Sequence, residues 1–176
     1  MKKKGIVKGG AIGLMALLVF LQAGAAWGWF GFGSSPEKAA DNMMPHFVLS
    51  SAVAGPDLDS EELQGKVLLI NFWATWCGPC VEEYPDLMRL HEAFADQGFA
   101  VIGISTDKSK RAVTRFAEKY GHVYPMLMAD SAVVRDFGAG IGLPVSFLVD
   151  RQGKIIKRYY GPRTFEQFAE DIATVL

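Results

Sequence analysis

Both cysteines of this 176-residue chain fall in one stretch, Asn71-Phe72-Trp73-Ala74-Thr75-Trp76-Cys77-Gly78-Pro79-Cys80. They are spaced C-x-x-C directly behind the run from Val67 to Trp73, which reads as a central strand covered on both faces. A bridge between Cys77 and Cys80 closes a very short loop, and short loops constrain the unfolded chain little. A structural zinc site needs four ligands. There is no second cysteine pair, and His46, His91 and His122 lie far apart in sequence. The pair is therefore best read as a dithiol that cycles between oxidised and reduced forms.

The segments around it alternate in type. Phe47 to Leu49, Phe99 to Ile104 and Tyr124 to Met128 read as strands, and Gly55-Pro56 as a turn. Helices are predicted from Cys77 to about Gln97, stopping near Gly98, from Ser109 to Tyr120 with Gly121 just beyond, and from Ser131 to Phe137. Val145 to Val149 and Ile155 to Tyr159 flank Asp150-Arg151-Gln152-Gly153 as a hairpin. Thr164 with Gln167 forms a capping box that opens the last helix. Alternating strands and helices, then a hairpin and a helix, predict an α/β sandwich with a mixed sheet.

This order puts Cys77 where a strand ends and a helix begins. The free N–H groups and positive dipole end of the helix then face its sulfur and favour the thiolate. Pro79 is tolerated in the first turn, where its missing N–H costs nothing. Cys80, one turn further in, suits a resolving role. Trp76 either borders the reactive sulfur or simply packs. Cys80, Glu83, Leu87, Leu90 and Phe94 share one helical face, while Glu82, Asp86 and Arg89 form another. Glu83 is thus a carboxylate on the apolar stripe. Burial would raise its pKa and suit it to accept the Cys80 proton, and the alternative is a side chain that snorkels to solvent. Gly138-Ala139-Gly140-Ile141-Gly142 lacks the spacing and preceding strand of a phosphate loop and reads as a connection.

The N-terminus carries Lys2, Lys3, Lys4 and Lys8, then no charge until Glu37. Ala11 to Leu21 has signal-peptide length and Ala23-Gly24-Ala25 offers a cleavage site. The uncharged stretch from Gly9 to Gly33 is also long enough to span a bilayer of ~30 Å, with Trp27 and Trp29 at the interface. Residues 1–33 are thus a signal peptide or an anchor. Either places the remainder outside the cytoplasm. Residues 34–45 read as a linker and 46–176 as one domain. Beyond the leader lysines, 14 basic residues face 19 acidic ones, a net charge of −5. Such a domain is a poor nucleic-acid binder. Lys108, Lys110, Arg111, Arg115 and Lys119 read as a solvated helix face.

The W-C-G-P-C segment resembles the active site of the thioredoxin superfamily. Gly65-Lys66 before the strand, Glu83 and Pro85 after the second cysteine, and Gly142-Leu143-Pro144-Val145-Ser146-Phe147-Leu148-Val149-Asp150 extend the likeness. From about Pro45 to Leu176 the chain resembles the TlpA/ResA-like thiol-disulfide oxidoreductases, which include cytochrome c maturation proteins. The resemblance implies a three-layer sandwich around a mixed sheet and a redox-active Cys77–Cys80 disulfide. It implies a cis Pro144, with Leu143 offering its backbone to an extended substrate beside Trp76, Gly78 and Pro79. It supports a functional Glu83, because that branch carries a glutamate there. Many thioredoxins have a buried aspartate where this chain has Asn71, and an amide takes up no proton at neutral pH.

The implied function is an extracytoplasmic reductase of protein disulfides, with no cofactor and no metal. A membrane thiol reductase is its implied electron donor, and apocytochrome c its implied substrate. A copper-binding metallochaperone is the alternative, since two thiolates suit Cu(I), but no nearby histidine or methionine completes a site. A peroxidase would need a threonine separated by two residues from a lone cysteine, and Thr75-Trp76-Cys77 has only one between.

Overall fold

The computed structural model describes residues 42–176, so the apolar segment 1–33 and most of the linker lie outside the described residues. Among those described, the central sheet runs β5-β4-β3-β6-β7. Its strands are β3 (Val67–Trp73), β4 (Phe99–Ser105), β5 (Met126–Met128), β6 (Val145–Val149) and β7 (Ile155–Tyr160). β3, β4 and β5 are parallel, β6 pairs antiparallel with β3, and β7 pairs antiparallel with β6. The mixed sheet predicted from the order of segments is thus present. A second, two-stranded sheet pairs β1 (Val48–Leu49) with β2 (Leu58–Asp59), a partner that its short, partly polar sequence did not reveal.

Alternation along the buried strands divides the core. Val67, Leu69 and Trp73 face one side, against α1 (Gly78–Phe94), α2 (Lys110–Tyr120) and α4 (Phe165–Ile172). Leu68, Ile70 and Phe72 face the other, against α3 (Ser131–Phe137) and the β1–β2 segment. Helices on both faces give three layers. On the α3 side Phe72, Phe137 and Phe147 meet at centroid distances of 5.1 to 5.8 Å. Each such fully buried ring contributes roughly 1.5–3 kcal/mol by leaving water.

Helix ends follow the local chemistry. α1 passes through a 3-10 turn, Ala95–Gln97, and stops at Gly98, whose φ of 79° a side chain would strain. The α4 capping box is made in both directions, Gln167 N–H to Thr164 and Thr164 N–H to Gln167. β5 begins at Met126 rather than Tyr124, because Pro125 has no N–H for a ladder. The Pro125 carbonyl still takes the Gly103 N–H at 2.9 Å. Met43 bridges Lys154, and Met44 N–H donates to Gly153, so backbone pairing begins inside the span read as linker. The basic residues Lys110, Arg111, Arg115 and Lys119 of α2 are all exposed, as a solvated face requires.

Candidate active site

β3 delivers Trp73 to the edge of the helical layer, and α1 starts five residues later. Cys77 is the N-cap of α1, its sulfur accepting the Cys80 N–H at 3.3 Å. Pro79 occupies the first turn without loss. Cys77 and Cys80 are joined by a disulfide, with Cα atoms 5.3 Å apart. Cys80 is 2% exposed and Cys77 7%, so the first cysteine is the more reachable of the two.

Cys77 opens into a groove of about 560 Å³ lined by Trp76, Pro79, Thr106, Val134 and Leu143 among others. Trp76 is 71% exposed, so it stands over the groove instead of filling the core. Gly78 and Pro79 are also exposed at the helix start. The Leu143–Pro144 peptide is cis. Among the described residues no backbone group pairs with the Leu143 N–H or carbonyl, whereas the Pro144 carbonyl takes the Gly161 N–H at 2.9 Å. Trp76, Cys77, Pro79 and Leu143, selected from sequence, therefore share one groove. Ala139, Gly140 and Gly142 also line it, and the segment 138–142 has no strand ahead of it.

Glu83 lies behind the dithiol, only 3% exposed, on the helical face of Cys80, Leu87 and Leu90. The snorkelling alternative does not describe it. Its Oε1 accepts the Arg163 backbone N–H at 2.8 Å, and its Oε2 accepts Asn71 Nδ2 at 3.1 Å. Burial pushes the carboxyl up to about 7, against an ordinary 4.5, although the Arg163 N–H, the Asn71 amide and the Arg163 charge all pull it down. Desolvation outweighs these partners because the ion loses its water on nearly every side. Asn71 also donates to Ser146 Oγ at 2.9 Å and is a satisfied buried amide.

Three neighbours escaped the sequence reading. Asp107 accepts the Thr75 N–H at 2.8 Å, the Thr75 hydroxyl at 2.7 Å and the Ser105 hydroxyl at 2.8 Å, tying the approach to Cys77 onto the end of β4. Ser146 and Arg163 reach the site from β6 and from the loop between β7 and α4. No local pattern marks them, since each contact spans 32 to 80 positions except that of Ser105 with Asp107. Among the described residues, no group of three or more His, Cys, Asp or Glu is placed to hold a metal ion. No helix among them is long and apolar enough to cross a membrane.

Residues 38–176 match the Redoxin family. The thiol-disulfide oxidoreductase ResA of Bacillus thuringiensis (strain Al Hakam) is 32% identical over 139 residues, covering 78% of this chain and 79% of that protein. ResA of Bacillus subtilis (strain 168) is 33% identical over 120 residues, 68% of this chain and 66% of that one. A crystal structure of a thioredoxin-family thiol:disulfide interchange protein from Chlorobium tepidum TLS superposes with a TM-score of 0.71 at 30% identity, covering 76% of this chain and 95% of that one. With its C-G-P-C dithiol at the start of α1 and a mixed sheet behind it, the chain belongs to the Redoxin family and, within it, to the ResA-like thiol-disulfide oxidoreductases of thioredoxin-like fold.

Proposed function

We propose that the protein reduces disulfides of specific protein substrates on the extracytoplasmic side of a membrane, through Cys77 and Cys80. The observation that carries this reading is the open groove in which the Cys77 sulfur, Trp76 and the unpaired Leu143 backbone face one another. An extended substrate segment pairs there with Leu143 by strand addition, bringing its disulfide onto Cys77 beside Gly78, Pro79 and Pro144.

In the reduced protein the Cys77 thiolate, stabilised by the helix start, attacks one substrate sulfur. A Cys77–substrate disulfide forms, and the other substrate sulfur leaves as a thiolate that takes a proton from water. Cys80 then gives its proton to the Glu83 carboxylate, and its sulfur attacks the Cys77 sulfur. The mixed disulfide breaks, the second substrate sulfur departs as a thiolate that takes a proton from water, and the Cys77–Cys80 disulfide remains. Two electrons have passed to the substrate, and Glu83 returns its proton to solvent. A pKa near 7 suits this work, because the base is then ionised before the step and readily reset after it.

An oxidising compartment requires a dithiol donor to restore Cys77 and Cys80, and a membrane thiol reductase supplies that chemistry. The charge pattern of residues 1–33 supports export or anchoring. Apocytochrome c, whose paired cysteines must be reduced from a disulfide before they take haem, is the substrate class that we assign by kinship to the ResA-like branch. Mixed-disulfide trapping with Cys80→Ala tests the substrate: recovery of apocytochrome c bound to Cys77 is expected, and its absence among the trapped proteins sinks that assignment. Insulin reduction set beside a Cu(I) titration tests the activity, since tight copper binding without reduction would favour the metallochaperone.

A further inference from the structure

The two bonds to Glu83 lead, by different routes, to the same piece of backbone. On one side Asn71 Nδ2 binds both Glu83 Oε2 and Ser146 Oγ. Ser146 is paired in register with Asn71 across β3 and β6, two positions beyond Pro144. On the other side Glu83 Oε1 holds the Arg163 N–H, and the same loop returns through the Gly161 N–H to the Pro144 carbonyl. The carboxylate therefore closes a ring of hydrogen bonds around the Leu143–Pro144 edge. We propose that Asn71, Ser146 and the Gly161–Arg163 loop are positioning residues that link the ionisation of Glu83 to the geometry of this docking edge.

The inference rests on Glu83 being the group that takes up the Cys80 proton. Both of its partners are donors only at the contact, so an ionised carboxylate makes two charge-assisted bonds and a protonated one makes weaker, neutral bonds. One proton thus loosens both arms of the ring together. The edge is held firm while Glu83 is ionised and substrate docks. It relaxes when the Cys80 proton arrives and product leaves.

Few other groups bear on that carboxylate. Arg163 contributes charge from the loop, although its guanidinium is turned toward the carbonyls of Pro162 and Gly161 at 2.7 and 3.3 Å. Asp86 lies on the same helix as Glu83 and pushes its pKa up. Tyr124, ahead of β5, feels Glu83 but is held well above its ordinary range by burial, so it stays neutral. Asn71 and Ser146, from the two strands, do not ionise. In the oxidised protein neither cysteine titrates.

The test is a pH titration of the oxidised protein by NMR, following the Glu83 carboxyl carbon and the backbone amides of Gly161 and Leu143. The carboxyl is expected to titrate near neutrality, with both amides stepping at the same pH. Glu83→Gln removes both steps. Ser146→Ala cuts one of the two arms and shrinks the Leu143 step, while Ser146→Thr, which keeps the hydroxyl, retains it in full. Arg163→Ala, which keeps the backbone N–H, retains the Gly161 step. Amides that ignore a titrating Glu83, a Leu143 step of unchanged size in Ser146→Ala, or a Gly161 step lost in Arg163→Ala overturns the coupling and leaves the base in place. A Glu83 carboxyl that titrates in the ordinary range removes the base and the coupling together.

Discussion

Asp107 takes the backbone N–H of Thr75 at 2.8 Å, across 32 positions of sequence and from one strand end to the next. The same carboxylate holds the Thr75 and Ser105 hydroxyls, and Thr106 N–H donates to the Trp73 carbonyl at 2.9 Å. Parallel pairing of β3 with β4 brings the two loops side by side, and Asp107 fastens them. The start of α1 is therefore held in place from outside its own segment.

Asp107→Ala removes three accepted hydrogen bonds and leaves buried donors unpaired. A loss of about 3 kcal/mol in stability is expected from such orphaned groups. Disulfide reduction should fall by roughly tenfold or more, because small displacements of a reacting group are costly. Urea unfolding and insulin reduction check both numbers. Wild-type activity in a folded variant would show that the latch does not position Cys77.

Cys77 should react with iodoacetamide at pH 6–7 at least about tenfold faster than Cys80, because it alone caps the helix and opens into the groove. Mass spectrometry of the reduced protein reads the two sites separately. Equal rates would remove the basis for naming Cys77 the nucleophile.

The couple should be reducing, closer to roughly −270 mV than to −120 mV. Gly78-Pro79 separates the cysteines, with no histidine between them to stabilise the thiolate unusually. A glutathione redox titration above about −180 mV would reverse the proposed direction of electron flow.

Glu83 carries a signature in stability. Its folded pKa of about 7 lies above the ordinary 4.5, so its contribution is fully present below about 4.5 and is lost as pH rises through 7. The shift corresponds to about 3 kcal/mol between the two protonation states. The difference in unfolding free energy between the oxidised wild type and Glu83→Gln should therefore change across pH 4.5 to 7 and stay level above it. A difference that is flat across that window contradicts a buried, proton-accepting carboxylate.

Gly103→Ala should destabilise the protein by about 1–3 kcal/mol, as overpacking does. A Cβ there would stand 3.0 Å from the Tyr124 ring and 3.2 Å from Trp73 Nε1. Trp73 Nε1 is buried with no hydrogen-bond partner among the described residues, so Trp73→Phe should cost less than its loss of volume suggests. Calorimetry of both variants orders them, and a Gly103→Ala melting temperature equal to wild type would mean that β4 has room to shift.

Local pattern alone carried much of this protein. The apolar run of β3, the C-x-x-C at a strand–helix junction, the phase of Cys80, Glu83, Leu87 and Leu90, and the Thr164–Gln167 box are all short-range, and periodicity and capping chemistry expose them. Kinship of motif added the cis Pro144, which base rates of proline geometry do not suggest. Only the tertiary structure decided that Glu83 is buried and not snorkelled, because an i,i+3 spacing says which face a side chain takes and not what covers it. The covering groups are Asn71, Ser146 and Arg163, and the latch on Thr75 is Asp107. Asn71 lies 12 positions from Glu83, whereas Asp107, Ser146 and Arg163 reach the site through sheet order and loop closure across 32 to 80 positions. Desolvation, which sets the carboxylate near 7, depends on that enclosure as a whole, and no window of sequence contains it.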